Sequence, residues 1–122
     1  MNLVEKQLTE KIIGARMEVS NELGRGFLEG VYERALVIAL RDKGLKADAQ
    51  VPLAVTFRDE AVGEFFADIV VADSVLLELK TTRNLGPEHE AQLLNYLKAS
   101  AHGVGLLVNF GKPRLEWKRF VF

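Results

Sequence analysis

At 122 residues, 48% of them hydrophobic and 27% charged, the chain is long enough to bury a real core within one domain spanning 1–122 and has no disordered stretch. Its 16 Lys and Arg against 17 Asp and Glu give a net charge of -1, so bulk charge offers no case for a nucleic-acid partner, although a local basic patch is compatible with it. Cysteine is absent, which excludes disulfides, thiolate metal sites and cysteine nucleophiles and fits a reducing compartment. No signal-peptide pattern opens the chain and no apolar run approaches the roughly 20 residues that span a bilayer, so the expectation is a cytoplasmic protein without a membrane partner.

In chain order, Leu8, Ile12, Ala15, Val19 and Leu23 recur at helical spacing and predict a first helix over 4–23, capped by Asn2 with Glu5 in its first turn. Gly24 and Gly26 interrupt the pattern. A second helix is predicted from Phe27 or Leu28 to Lys43, with Leu28, Tyr32, Ala35, Leu36, Ala39 and Leu40 on its buried face, Glu29 at its start and Gly44 as C-cap. The period then shortens. Strands are predicted over 50–57, 63–71 and 75–81, joined as an antiparallel meander, with Pro52 marking an edge or irregular position. Pro87 opens a third helix to about Ser100, its apolar face drawn from Ala91, Leu94, Tyr96 and Leu97. A buried strand over 103–110 follows, and the strand–helix–strand order predicts a parallel crossover. Residues 115–122 form a last, edge strand. The expectation is an α/β (α+β) fold: a mixed sheet of about five strands flanked by about three helices.

Two segments carry chemistry. In Val75-Leu76-Leu77-Glu78-Leu79-Lys80, alternation puts Glu78 and Lys80 on one face and Leu77 and Leu79 on the other. A solvated strand face gives the same pattern. Asp68 is a charge within Phe65-Phe66-Ala67-Asp68-Ile69-Val70, where it needs a partner, a cation or an exposed position. The hairpin can bring it to Glu78, but the pairing register is open.

The segment Gly26-Phe27-Leu28-Glu29-Gly30-Val31-Tyr32 resembles the signature of the GxxExxY protein family, within the PD-(D/E)XK nuclease-like superfamily. The resemblance continues through Ala67-Asp68-Ile69-Val70-Val71, Leu77-Glu78-Leu79-Lys80, the run from His89 to Lys98 and the run from Gly105 to Gly111. It implies a restriction-endonuclease-like core and a metal-dependent nuclease acting on DNA. Asp68, Glu78 and Lys80 would be the central motif, with Glu29 supplied by the preceding helix and Gln92 by the following one. Ala67 stands where the superfamily's name has proline.

On this reading Asp68, Glu78, the Leu79 carbonyl and Glu29 would hold Mg²⁺ or Mn²⁺ through hard oxygen donors. Lys80 would orient the attacking water, and Gln92 would align Lys80 or that water. Arg25, Arg83, His89, Lys98, Lys112, Arg114, Lys118 and Arg119 are the candidate nucleic-acid contacts. For His89 the plain alternative is a polar helix start, for the C-terminal cations a solvated edge, and for Tyr96 and Tyr32 a packed ring. A homodimer would widen the contact surface of so small a domain. The alternative function is a non-catalytic module on the same fold, binding nucleic acid, a nucleotide or a protein.

Overall fold

The computed structural model describes residues 3–100, 102–112 and 116–121. The expected Asn2 cap, the candidate cation Arg114 and the outer residues of the last predicted strand, Leu115 and Phe122, lie outside them. The elements run α1 (Leu3–Leu23), α2 (Glu29–Asp42), β1 (Ala47–Phe57), β2 (Glu60–Val71), β3 (Val75–Lys80), α3 (Pro87–Ala99), β4 (Val104–Asn109) and β5 (Glu116–Val121).

The strands form one sheet in the order β1-β2-β3-β4-β5. β1, β2 and β3 are the antiparallel meander. α3 then carries the chain across so that β4 lies parallel to β3, and β5 returns antiparallel to β4. The β1–β2 turn is tighter than the expected five residues: Arg58 and Asp59 alone form it, both at positive φ (51° and 66°). Neither is Gly or Asn, the usual sequence signs of such a turn.

Burial divides on the two faces of the sheet. Leu8, Ile12, Ala15 and Val19 of α1 and Tyr32, Leu36, Val37 and Leu40 of α2 pack on Ile69, Val71, Leu77 and Leu79. Leu93 and Leu97 of α3 pack on the other face with Val70, Leu76 and Leu107. Two expectations shift. Leu28 is 81% exposed, because it caps α2 in an extended conformation (φ −72°, ψ 157°) and so lies off the helix face. On α3 the buried stripe is Leu93 and Leu97, while Ala91 is exposed, because α3 settles against Gly105. There an added Cβ would sit 2.9 Å from Leu93 Cδ1. The result is the mixed five-stranded sheet with three flanking helices of a restriction-endonuclease-like core. None of the helices is long and apolar enough, among the described residues, to cross a membrane.

Candidate active site

The site forms where two paired strands part. β2 and β3 are paired at Val71/Val75, Val70/Leu76 and Ile69/Leu77, and the ladder ends there. At the next step side chains take over from backbone. The Leu79 N–H donates to Asp68 Oδ2 at 2.7 Å, and the Asp68 N–H donates to Glu78 Oε1 at 3.3 Å. Each carboxylate thus satisfies an amide of the opposite strand that would otherwise be an orphan donor. This reciprocal clasp fixes the register that the sequence left open.

The split coincides with a change of face. Ile69 and Val71 belong to the core under α1 and α2, yet Ala67, two residues earlier, belongs to the core under α3. Ala47 and Val51 of β1 divide in the same way. Between them Gln50 has φ +51°, left-handed for a non-glycine residue, opposite Asp68. The meander therefore twists at Gln50 and Asp68, and Asp68 sits at the twist.

Glu78 is only 5% exposed. Burial pushes its carboxyl up to about 9, and the neighbouring Asp68 adds to the rise. Lys80, next on the same face, donates from Nζ to Gln92 Oε1 of α3 at 3.3 Å. Glu29, at the first position of α2, has its pKa raised chiefly by desolvation; Lys80 opposes the rise, Asp68 adds to it and His89 opposes it. Asp68, Glu78, Lys80, Glu29 and Gln92 are thus brought to one locality by four different elements.

Two neighbours had no place in the sequence reading. Glu33, one turn beyond Glu29 on α2, accepts from Gln50 Nε2 at 3.0 and 3.2 Å. The same amide lies 3.5 Å from Asp68 Oδ1. Desolvation raises the Glu33 pKa, the Gln50 hydrogen bond lowers it, and Asp68 raises it again. The i, i+4 spacing from Glu29 was the available signal for Glu33. Gln50 gave none, because its role depends on an unusual backbone conformation.

The frame around the site is polar and buried. Asn109, at the end of β4, is fully buried. Its amide donates to Thr82 O (2.9 Å) and Glu116 Oε1 (2.9 Å), and its oxygen accepts from Thr82 N (3.1 Å) and Gly111 N (2.9 Å). Arg16 of α1 donates from Nη2 to Asn109 O at 2.7 Å and lies 5.0 Å over the Phe110 ring. Tyr96 stacks on Phe65, centroids 3.8 Å apart. Its hydroxyl pKa is raised by burial, then by Glu78 and Asp68, so the ring packs beside the acidic pair.

The candidate cations are dispersed. His89 Nδ1 accepts the Gly86 N–H at 3.0 Å and so closes the start of α3. Lys112 is bonded to Glu116 (2.8 Å), Lys118 to Glu90 (3.1 Å), and Arg119 stands 4.0 Å from Glu5 of α1. Arg119 and Lys118 pair with Leu106 and Leu107, whose side chains enter opposite cores, so they share no rim. Lys98 borders a surface hollow with Tyr96 and Asn95. Arg25 and Arg83 are exposed in the loops that follow α1 and β3.

The Asp68 and Glu78 carboxylates lie adjacent and suit a hard divalent cation in kind, both offering oxygen. Burial holds the Glu78 carboxyl well above the usual carboxylate range, and Asp68 adds to the rise while Lys80 opposes it. Among the described residues, however, no three His, Asp or Glu side chains are gathered closely enough to hold an ion by themselves. Asp68 and Glu78 would supply only part of a shell, with the remainder left to water or other ligands.

No curated protein matches the chain. Among solved structures, the crystal structure of SSO0001 is similar, with a TM-score of 0.60 at 19% identity. The match covers 75% of this chain and 49% of that one, so it speaks for the fold and for about half of the larger chain's length. The PD-(D/E)XK nuclease superfamily matches residues 6–120. With the β2–β3 split, the Asp68–Glu78 clasp and Lys80 all inside that span, the chain belongs to the PD-(D/E)XK nuclease superfamily.

Proposed function

We propose that the chain hydrolyses phosphodiester bonds of nucleic acid, with DNA as its substrate and Mg²⁺ or Mn²⁺ held at Asp68 and Glu78. The observation that carries this reading is the clasp at the strand split, with Lys80 following Glu78 on the same face. A divalent cation bound there would polarise the scissile phosphate and acidify a water. Asp68 and Glu78 would hold it through carboxylate oxygens, with the Leu79 carbonyl as a further donor and Glu29 a carboxylate from α2. Lys80, steadied by Gln92, orients the nucleophilic water and offsets negative charge developing on the phosphate. The Gly26–Tyr32 segment supports placing the chain, within the superfamily, among the GxxExxY proteins.

A second reading has its own support. The absence of a three-residue metal cage among the described residues suits a module that binds nucleic acid without cutting it.

The test sets wild type against Asp68→Ala, Glu78→Ala and Lys80→Ala on single-stranded, duplex and branched DNA and on RNA, in Mg²⁺ or Mn²⁺. Hydrolysis predicts metal-dependent cleavage that drops at least about 100-fold in Asp68→Ala and Lys80→Ala. Calorimetric Mn²⁺ titration should show Glu78→Ala losing more metal affinity than Lys80→Ala. Binding without cleavage across the panel would select the second reading.

A further inference from the structure

A cleft opens one residue past Lys80, on the α1/α2 side of the sheet. Its volume is about 460 Å³. One wall is the loop Arg25, Gly26 and Phe27; the other is Thr81, Phe110 and Gly111; Tyr32 lies between them.

The loop is a built arch. Gly24 and Gly26 have φ of +72° and +105°, where an L side chain would be strained, although neither has a neighbour to crowd a Cβ. The glycines are needed for conformation, not for space. Tyr32 secures the arch from below: its hydroxyl donates to Gly24 O at 2.7 Å and accepts the Phe27 N–H at 3.3 Å. The Tyr32 ring is itself held, stacked on Phe110 with centroids 4.5 Å apart and planes 13° from parallel. Arg25 and Phe27 are thereby fixed at the rim.

Both rim side chains are uncommitted. Phe27 is 46% exposed and meets Tyr32 only edge-on, stacked on no ring of the described residues. Arg25 is exposed and pairs with no carboxylate among the described residues, whereas Lys43, Lys46, Lys112 and Lys118 all do. An aromatic face beside a free guanidinium, in a concavity of small-molecule size, is a recognition pair for one nucleotide. A base that stacks on the exposed Phe27 face must leave its own duplex stack, so the pair selects an unpaired base. Thr81 joins the cleft to the strand that carries Glu78 and Lys80, about 3.3 Å of backbone from the lysine.

We propose that this cleft receives one unpaired nucleotide of the substrate strand, flanking the phosphate to be cut, with its base on Phe27 and its phosphate on Arg25. This rests on the nuclease reading and narrows it: the substrate is single-stranded or splayed at the site.

The experiment measures binding without turnover. A short labelled single strand and its duplex are titrated by fluorescence anisotropy in EDTA, and a strand carrying 2-aminopurine reports stacking. Wild type should prefer the single strand and quench the aminopurine. Phe27→Ala should weaken single-strand binding about 5- to 50-fold and abolish the quench, while Phe27→Trp restores it. Arg25→Ala should lower the slope of log affinity against log salt by about one. Tyr32→Phe keeps the stacked ring and frees the arch, and should weaken the single strand with unchanged far-UV circular dichroism.

Folded Phe27→Ala and Arg25→Ala proteins that bind the strand like wild type overturn the proposal, as does a wild type that prefers duplex or binds no strand. If wild type still cleaves with metal in those cases, the nuclease reading stands without the cleft. Phe27-dependent binding with no cleavage on any substrate does the reverse. If Phe27→Ala does not fold, the aminopurine signal of wild type decides, and its absence overturns the cleft.

Discussion

With a pKa of about 9 in the fold against 4.5 for a free carboxyl, Glu78 keeps its proton in the folded state over a range where the unfolded chain has lost it. The folded state then binds more protons than the unfolded, so stability falls as pH rises. The contribution is full below about 4.5 and is lost as pH climbs through about 9. Thermal melts in chelator should show Tm declining from pH 5 to pH 9, and Glu78→Gln should flatten that decline. An equally steep decline in the variant would contradict the assignment. Asn109 offers a second measurement: Asn109→Leu strands the Thr82 and Gly111 backbone groups it satisfies and should cost about 3 kcal/mol in urea unfolding.

Residues differ in how far the sequence announces them. Glu78 and Lys80 were legible because a strand's period is two, and Asp68 because a charge among Phe, Ile and Val needs a reason. Asn109 and Arg16 were not, since their value lies in bonds that span 27 and 93 positions. Glu33 was passed over because its partner Gln50 meets it only after the sheet has twisted.

Among the elements, order and type followed from hydrophobic period and from Gly and Pro punctuation. The meander and the parallel return through α3 came from those signals, while Pro52 left β1 as an edge or an irregular strand and the sheet order makes it an edge. Turn length and helix rotation did not. Arg58-Asp59 makes a tight turn without the usual residues, and α3 turns Leu93 inward because Gly105 leaves room for it. Two glycines give a graded prediction. The atoms nearest a Cβ at Gly105 are Leu93 and Leu97 methyls, which can shift, whereas one at Gly111 would overlap the Thr82 carbonyl. Gly105→Ala should cost about 1 kcal/mol and Gly111→Ala about 3 kcal/mol, read from denaturant midpoints.

For the whole molecule, a net charge of -1 and four lysines tied to carboxylates leave little positive field. Affinity for nucleic acid should therefore vary gently with ionic strength. Contacts from Lys80, Arg25 and Arg83 alone would give a log–log slope near −3 on duplex and shallower on single strands. A slope near −8 would mean that the C-terminal cations leave their carboxylates and take part. Lys118→Ala separates the cases, because it should leave the slope almost unchanged.

The Leu79 amide lies one step past the last β2–β3 pair, yet its proton is held by an Asp68 oxygen at 2.7 Å. Its hydrogen–deuterium exchange should therefore be as slow as that of its ladder neighbours and become fast in Asp68→Ala. Anything that draws on the Asp68 carboxylate must loosen that proton or tighten it. This one backbone resonance can thus serve as a spectroscopic gauge of what occupies the Asp68 and Glu78 carboxylates, without any need for turnover.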